Sequence, residues 1–238
     1  MSDTEHPRSI RSFVVRTGRI TAAQERALDD LWPKYGIELT PSGAEDTAHA
    51  TPLKGLDTLF GRHAPRTAEI GFGNGENLAH MAAAHPERDY LGIEVHRPGV
   101  GRLLLALEEL HLTNVRLICH DAVEVFAHHI PQGALDEVDI LFPDPWPKKR
   151  HHKRRLVQGP FLELVAERLA PGGILRMATD WQPYAEEMLA TARANPHLRN
   201  LAPDGGYIPR PPERLITRFE KRGTRLGHEV WDLAFSRI

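Results

Sequence analysis

At 238 residues, 41% apolar and 26% charged, the chain has the make-up of a soluble globular protein, long enough for one large α/β domain or two small ones. Its formal charge is only −2, no apolar run approaches a membrane span, and residues 1–16 lack the apolar core of a signal peptide. A single cysteine, Cys119, excludes an internal disulfide framework and fits a reducing cytosol, so a cytoplasmic protein with no membrane partner is expected.

Residues 1–10 are polar and read as a disordered tail. The following Arg11–Arg16 mixes basic and apolar residues and suits either packing or contact with nucleic acid. Thr21 and Gln24 have capping-box spacing, which predicts one helix from Ala22 to about Tyr35. Residues 40–52 carry turn and small residues and read as a mobile loop, and 53–60 as a short helix stopped by Gly61. The chain thus divides into residues 1–52, an N-terminal arm with a helix and a mobile loop, and 53–238, the domain that carries the sites below.

From Thr67 the pattern alternates. Strands are predicted at 67–71, 90–94, 115–119, 137–142 and 173–179, and helices at 76–84, 98–111, 122–129, 159–169 and 182–194. Regular βα alternation means a doubly wound, mostly parallel sheet. The capping-box spacing of Thr217 and Glu220 predicts a further helix to about Leu226. In the last segment Trp231, Leu233 and Phe235 alternate with Asp232, Ala234 and Ser236, which reads as an antiparallel strand near a sheet edge.

The first strand ends in Glu69-Ile70-Gly71-Phe72-Gly73-Asn74-Gly75-Glu76. Alternating glycines let a ligand approach backbone just before a helix starts. The spacing is not that of a dinucleotide turn, and carboxylates at Glu69 and Glu76 repel a pyrophosphate, which argues against an NAD-linked oxidoreductase. The sulfonium and ammonium of S-adenosyl-L-methionine suit Glu69. Glu94 ends the next strand 19 residues after Gly75, the spacing of a residue that holds both ribose hydroxyls. Asp121 ends the third strand, either to accept from the adenine amine or to cap the helix that follows. Together these strand ends make a coherent nucleoside site. Fourteen histidines lie scattered or in adjacent pairs, with no CxxC or HExxH spacing, so no metal is expected.

The fourth strand runs into Phe142-Pro143-Asp144-Pro145-Trp146-Pro147, where the prolines hold Asp144 at the strand exit. Six fixed positive charges follow between Lys148 and Arg155, with His151 and His152 among them. Such a concentration of positive charge in a slightly acidic chain is placed rather than compositional, and suggests chemistry beside a polyanion.

These motifs, with Gly92-Ile93-Glu94-Val95-His96, His120-Asp121-Ala122, Ala178-Thr179-Asp180-Trp181 and Thr217-Arg218-Phe219-Glu220-Lys221-Arg222-Gly223, occur in an order that resembles the bacterial tRNA (guanine-N7-)-methyltransferases. The resemblance runs from about Arg11 to Ile238. It implies the Rossmann-like class I methyltransferase fold, with a doubly wound, mostly parallel seven-stranded sheet and an antiparallel C-terminal strand. It implies that Glu69, Gly71, Gly73, Glu94, Asp121 and Asp144 bind S-adenosyl-L-methionine, which leaves as S-adenosylhomocysteine. Lys148, Asp180, Thr217, Arg218, Phe219 and Glu220 would contact the substrate, with Arg150, His151, His152, Lys153, Arg154 and Arg155 on RNA. The implied partner is tRNA, methylated on guanine in its variable loop, by a monomer or a homodimer.

The chemistry of the target agrees. Guanine N7 has an in-plane lone pair and no proton, so attack on a sulfonium methyl needs alignment and a favourable field rather than a general base. Asp144 is the catalytic candidate, as acceptor for guanine N1–H and the 2-amino group. Trp146 suits either stacking on the extracted base or packing on the strand exit. Asp-Pro-Trp also has a local likeness to the loop of enzymes that methylate exocyclic amines, and a non-catalytic RNA-binding module on this fold is a further alternative.

Overall fold

The computed structural model describes residues 11–13, 18–39, 53, 55–216, 220 and 229–238. Its centre is a seven-stranded sheet: β1 (Arg66–Ile70), β2 (Asp89–Ile93), β3 (Val115–Ile118), β4 (Leu135–Leu141), β5 (Leu169–Thr179), β6 (Leu198–Asn200) and β7 (Trp231–Arg237), in the spatial order β3-β2-β1-β4-β5-β7-β6. The first five strands are parallel, and β7 runs antiparallel to β5 and β6. The order reverses at β1, where β2 lies on one side and β4 on the other, and this opens a crevice at the carboxyl ends of the strands.

Parallel registry turns the sequence into rows. Ile118, Ile93, Ile70, Ile140 and Met177 are neighbours across five strands and all belong to one apolar core cluster. The preceding row, Leu117, Gly92, Glu69, Asp139 and Arg176, points to the opposite face because side chains alternate along a strand. That second row is polar in its middle although it is buried, since Glu69 and Asp139 are both inaccessible.

The helices between the strands are α4 (Glu76–Ala84), α5 (Arg97–Glu109), α6 (Ala122–His128), α7 (Gly159–Arg168) and α8 (Gln182–Ala194). Upstream lie α1 (Ala22–Asp30), α2 (Trp32–Tyr35) and α3 (Leu56–Phe60). Thr21 caps α1 with the predicted capping box. The single helix expected to Tyr35 is broken at Leu31, because Pro33 has no N–H to continue the ladder and instead occupies the first turn of a new helix. Gln24 Nε2 donates to the Pro98 carbonyl at 3.1 Å, and Ile37 N–H to Leu117 at 2.8 Å, so α1 and α2 are fastened to α5 and β3.

Two other differences concern the far side of the sheet. β7 lies antiparallel and next to the sheet edge as expected, but it is covered by β6 and buried along five of its seven residues. Asp232 and Ser236, which resemble a solvent face in the sequence, are buried polar residues, and Asp232 is neutralised by Arg214. The edge belongs to β6, whose three residues carry too little pattern to be read beforehand. The predicted mobile loop at 40–52 and most of the helix expected after Thr217 fall outside the described residues. Among the described residues, no helix is long and apolar enough to cross a membrane.

Candidate active site

The strand exits converge on a cleft of about 200 Å³, lined among others by Gly71, Glu94, Val95, His120, Ala122, Phe142 and Asp144. On one side lies the glycine turn. Gly71, Gly73 and Gly75 take φ of 71°, 57° and 75°, in the left-handed region that favours glycine. A Cβ on Gly71 or Gly73 would point into open space, so their backbones line a cradle rather than a packed corner.

Glu94 organises this side. Its Oε2 accepts from Gly73 N–H at 2.8 Å, while Oε1 accepts from Val95 and His96 N–H at 2.7 and 2.9 Å. One carboxylate thereby ties the glycine turn to the exit of β2 and stays on the cleft wall, with lone pairs left for the hydroxyls of a ribose. The first turn of α5 closes the turn from behind, since a Cβ on Gly99 would sit 2.1 Å from the Gly73 carbonyl oxygen. Asp121 does serve as the cap of α6, accepting from Val123 N–H at 3.0 Å, and its neighbours His120 and Ala122 line the cleft.

Glu69 sits elsewhere than its motif suggests. It is not on the described lining of the cleft; it points to the other face of β1, buried beside Asp139 and receiving a 2.9 Å hydrogen bond from Asn77 Nδ2 on α4. Burial pushes its pKa up to about 7; the Asn77 bond opposes the rise and the Glu94 charge adds to it. Burial also raises Asp139 well above the carboxylate range, reinforced by Glu137 and Glu69 and opposed by Arg176 and Arg88. This buried acidic pair was not foreseen. The one signal was an aspartate within the apolar run of β4, and only registry reveals its partner.

Across the cleft is the Phe142–Trp146 loop. Phe142 N–H donates to Ala178 at 2.8 Å, which aligns the exit of β4 with that of β5, where Asp180 follows. Phe142 and Trp146 adopt φ of 53° and 44°, strained for residues with side chains, and between them two prolines fix Asp144, which is exposed on the cleft. Trp146 packs at the strand exit: its Nε1–H donates to the Ser12 carbonyl at 3.1 Å, Arg154 covers its ring at 4.9 Å and His151 meets it edge-on. Ser12 and Phe13 in turn line the cleft, so this part of the N-terminal arm packs over the site.

The basic run forms a 3-10 helix, Lys149–Arg154, preceded by Lys148; Lys148, Lys149, Arg150 and Lys153 are exposed while His151, His152 and Arg154 are half-buried. Arg155 departs from the expectation of an RNA contact. It is buried, pairs with Glu187, donates to the Pro145 carbonyl at 2.9 Å and lies over Tyr184 at 4.7 Å. The turn of the backbone points it inward, where it braces the loop holding Asp144. Of the substrate segment, Thr217, Arg218 and Phe219 lie outside the described residues, and Glu220 is buried against Arg214.

A parallel sheet reversing at β1, with a glycine cradle and a carboxylate at the exit of β2 on one cleft, defines the Rossmann-like fold of S-adenosylmethionine-dependent methyltransferases. Solved structures agree with that fold: the 16S rRNA methyltransferase KamB aligns with a TM-score of 0.54 at 16% identity, covering 84% of this chain and 99% of its own. The antibiotic-resistance methyltransferase Kmr aligns at 0.53 and 17%, covering 77% and 91%. A family profile described as "Putative methyltransferase" matches residues 63–233. The tRNA (guanine-N(7)-)-methyltransferase of Alkalilimnicola ehrlichii is 59% identical over 96% of this chain and 92% of its own. That of Stutzerimonas stutzeri is 54% identical over 97% and 93%. The chain belongs to the tRNA (guanine-N7-)-methyltransferase family.

Proposed function

We propose that the protein transfers a methyl group from S-adenosyl-L-methionine to N7 of a guanine in the variable loop of tRNA, in the cytoplasm. The observation that carries this reading is the pairing, across one cleft, of a glycine cradle anchored by Glu94 with an exposed, rigidly held Asp144. When bound, S-adenosyl-L-methionine supplies an electrophilic methyl on a sulfonium. The open cradle at Gly71 and Gly73 and the lone pairs of Glu94 fit its nucleoside part. Glu69 acts on the cofactor's positive charge from behind the turn, as a field rather than a contact.

Asp144 accepts from N1–H and the 2-amino group of guanine, which turns the N7 edge towards the cradle, and its charge offsets the positive charge left on the methylated base. No proton leaves N7, so no side chain is needed as base. Lys148 and Asp180 lie at adjacent strand exits and hold the surroundings of the base, together with the segment Thr217–Glu220. Arg150 and Lys153, exposed beyond Asp144, hold RNA phosphates, with His151, His152 and Arg154 behind them. Residues 53–238 form the catalytic unit, to which 1–52 contribute docked helices and a cleft wall.

Incubation with labelled S-adenosyl-L-methionine and unmodified tRNA, followed by identification of the product nucleoside, tests the reading. It expects 7-methylguanosine. A label on an exocyclic amine, or no transfer, refutes it.

A further inference from the structure

Arg214 is almost completely buried, yet no motif marks it. Its guanidinium grips two carboxylates at once. Nε and Nη2 donate to Asp232 at 2.9 and 3.1 Å, and Nη1 and Nη2 to Glu220 at 2.7 and 3.3 Å. Its Cζ lies 5.4 Å from the centre of the Phe142 ring, which borders the cleft and opens the loop carrying Asp144. The next residue is fastened as well: Leu215 N–H donates to Asn77 Oδ1 at 3.2 Å, and Asn77 donates to Glu69 beneath the glycine turn.

We propose that Arg214 is a positioning residue for methyl transfer, which locks Glu220 to the Phe142–Asp144 loop so that the guanine is held in line with the methyl. The proposal rests on the function given above. Three connections meet at Arg214: β7 through Asp232, the substrate segment through Glu220, and the catalytic loop through Phe142. A lysine carries the same charge but has no planar fork, so it cannot grip two carboxylates and lie against a ring together. Nor is stability a sufficient reason for the cluster, because a buried charge network is often no more stabilising than apolar packing of the same volume. What the fork supplies is a fixed distance between two segments far apart in the chain. Phe142 is in a strained conformation, and Arg214 against its ring is one of the contacts that keep it there.

The test is Arg214→Lys, with wild type alongside. The readouts are the single-turnover rate of 7-methylguanosine formation at saturating cofactor and tRNA, the two dissociation constants, and the melting temperature. The expected result is a rate lowered roughly tenfold to a hundredfold, as for a small misplacement of reacting groups, with both dissociation constants within about twofold of wild type. Asp232→Asn, which loosens the anchor of Arg214 without touching Glu220 or Phe142, should give a smaller loss of the same kind, and it decides between the outcomes if Arg214→Lys fails to fold. Combining Arg214→Lys with Phe142→Leu should slow the reaction little beyond the worse single variant, because both break one connection. An unchanged rate in a folded variant overturns the proposal. So does a loss confined to affinity or to the folded fraction, and so does full additivity with Phe142→Leu. If wild type forms no 7-methylguanosine, the functional reading itself has failed, a result distinct from a defect seen only in the variants.

Discussion

The two walls of the cleft are held in opposite ways. On the β1–β2 side one carboxylate, Glu94, takes three backbone N–H groups, and relaxed glycines carry every unusual backbone angle. On the β4–β5 side the unusual angles fall on Phe142 and Trp146, and the loop is braced from a distance by Arg155, Arg214 and Ser12. The first wall is built from the neighbouring exits of β1 and β2 and the start of α5, and suits a small nucleoside. The second depends on groups remote in the chain, so its geometry can answer to what a large RNA does to the surface around it.

The sharpest way to break this contrast is to remove a brace. Arg155→Ala should lower unfolding stability by about 1–3 kcal/mol, since it leaves the Pro145 carbonyl without its donor and opens a buried site, while the partly exposed Glu187 is left to water. The salt dependence of tRNA affinity should stay as in wild type, and a changed slope would return Arg155 to the RNA face. Of similar size is the effect of Glu69. Its pKa is raised from 4.5 to about 7 on folding, so the folded state holds the proton more tightly. Stability is therefore lost as pH rises through the window from about 4.5 to 7, by about 3 kcal/mol in all. Glu69→Gln should flatten that part of the pH profile, both by removing its own titration and by removing a charge that raises Asp139. Equal profiles in denaturant titrations at pH 5 and pH 8 would show that Glu69 does not titrate there.

Asp144→Asn tests the exposed wall directly. Turnover should fall about a hundredfold or more, with fold and tRNA affinity nearly intact, and near-normal turnover would reduce Asp144 to a turn residue. Glu94→Ala should weaken cofactor binding by about 1.5–3 kcal/mol, the range for loss of a charge-assisted hydrogen bond; calorimetry giving wild-type affinity would remove Glu94 from the site. The mildest change is Arg150→Ala with Lys153→Ala. It should lower the slope of log affinity against log salt by about 0.7–0.9 for each phosphate no longer neutralised, equally for all substrate tRNAs. A slope like that of wild type would make the 3-10 helix an ordinary solvated surface.

The parallel strands and their carboxylate ends were legible because each strand is a local apolar run with a punctuated exit. Glu94 and Asp144 needed nothing more than their position at such exits. Glu69 shows the limit of that reasoning: the motif marks the right turn, but a strand has two faces, and only registry with β4 shows that Glu69 faces Asp139. Arg155 shows another. Six fixed positive charges in eight consecutive residues carry no mark of burial, and the tight helical turn alone separates the exposed Lys153 from its buried near neighbour. Pro33 was a visible break signal that the capping box overshadowed. The burial of Asp232 in β7 had no local signal, because the partner that neutralises it comes from a segment with no periodic pattern.

The place of β7 bears on how the protein is made. Among the described residues β6 pairs only with β7, and β5 faces an unfilled edge until β7 arrives, so a ribosome must release residues 231–237 before the sheet can close. Asp232, the anchor of Arg214, emerges with them. A nascent chain halted upstream therefore holds its glycine cradle and its Pro-Asp-Pro loop without the Asp232 partner of Arg214. It also carries an open strand edge that invites pairing with other chains. A complete sheet thus waits on synthesis of β7, and products truncated before it are expected to be aggregation-prone rather than partly active.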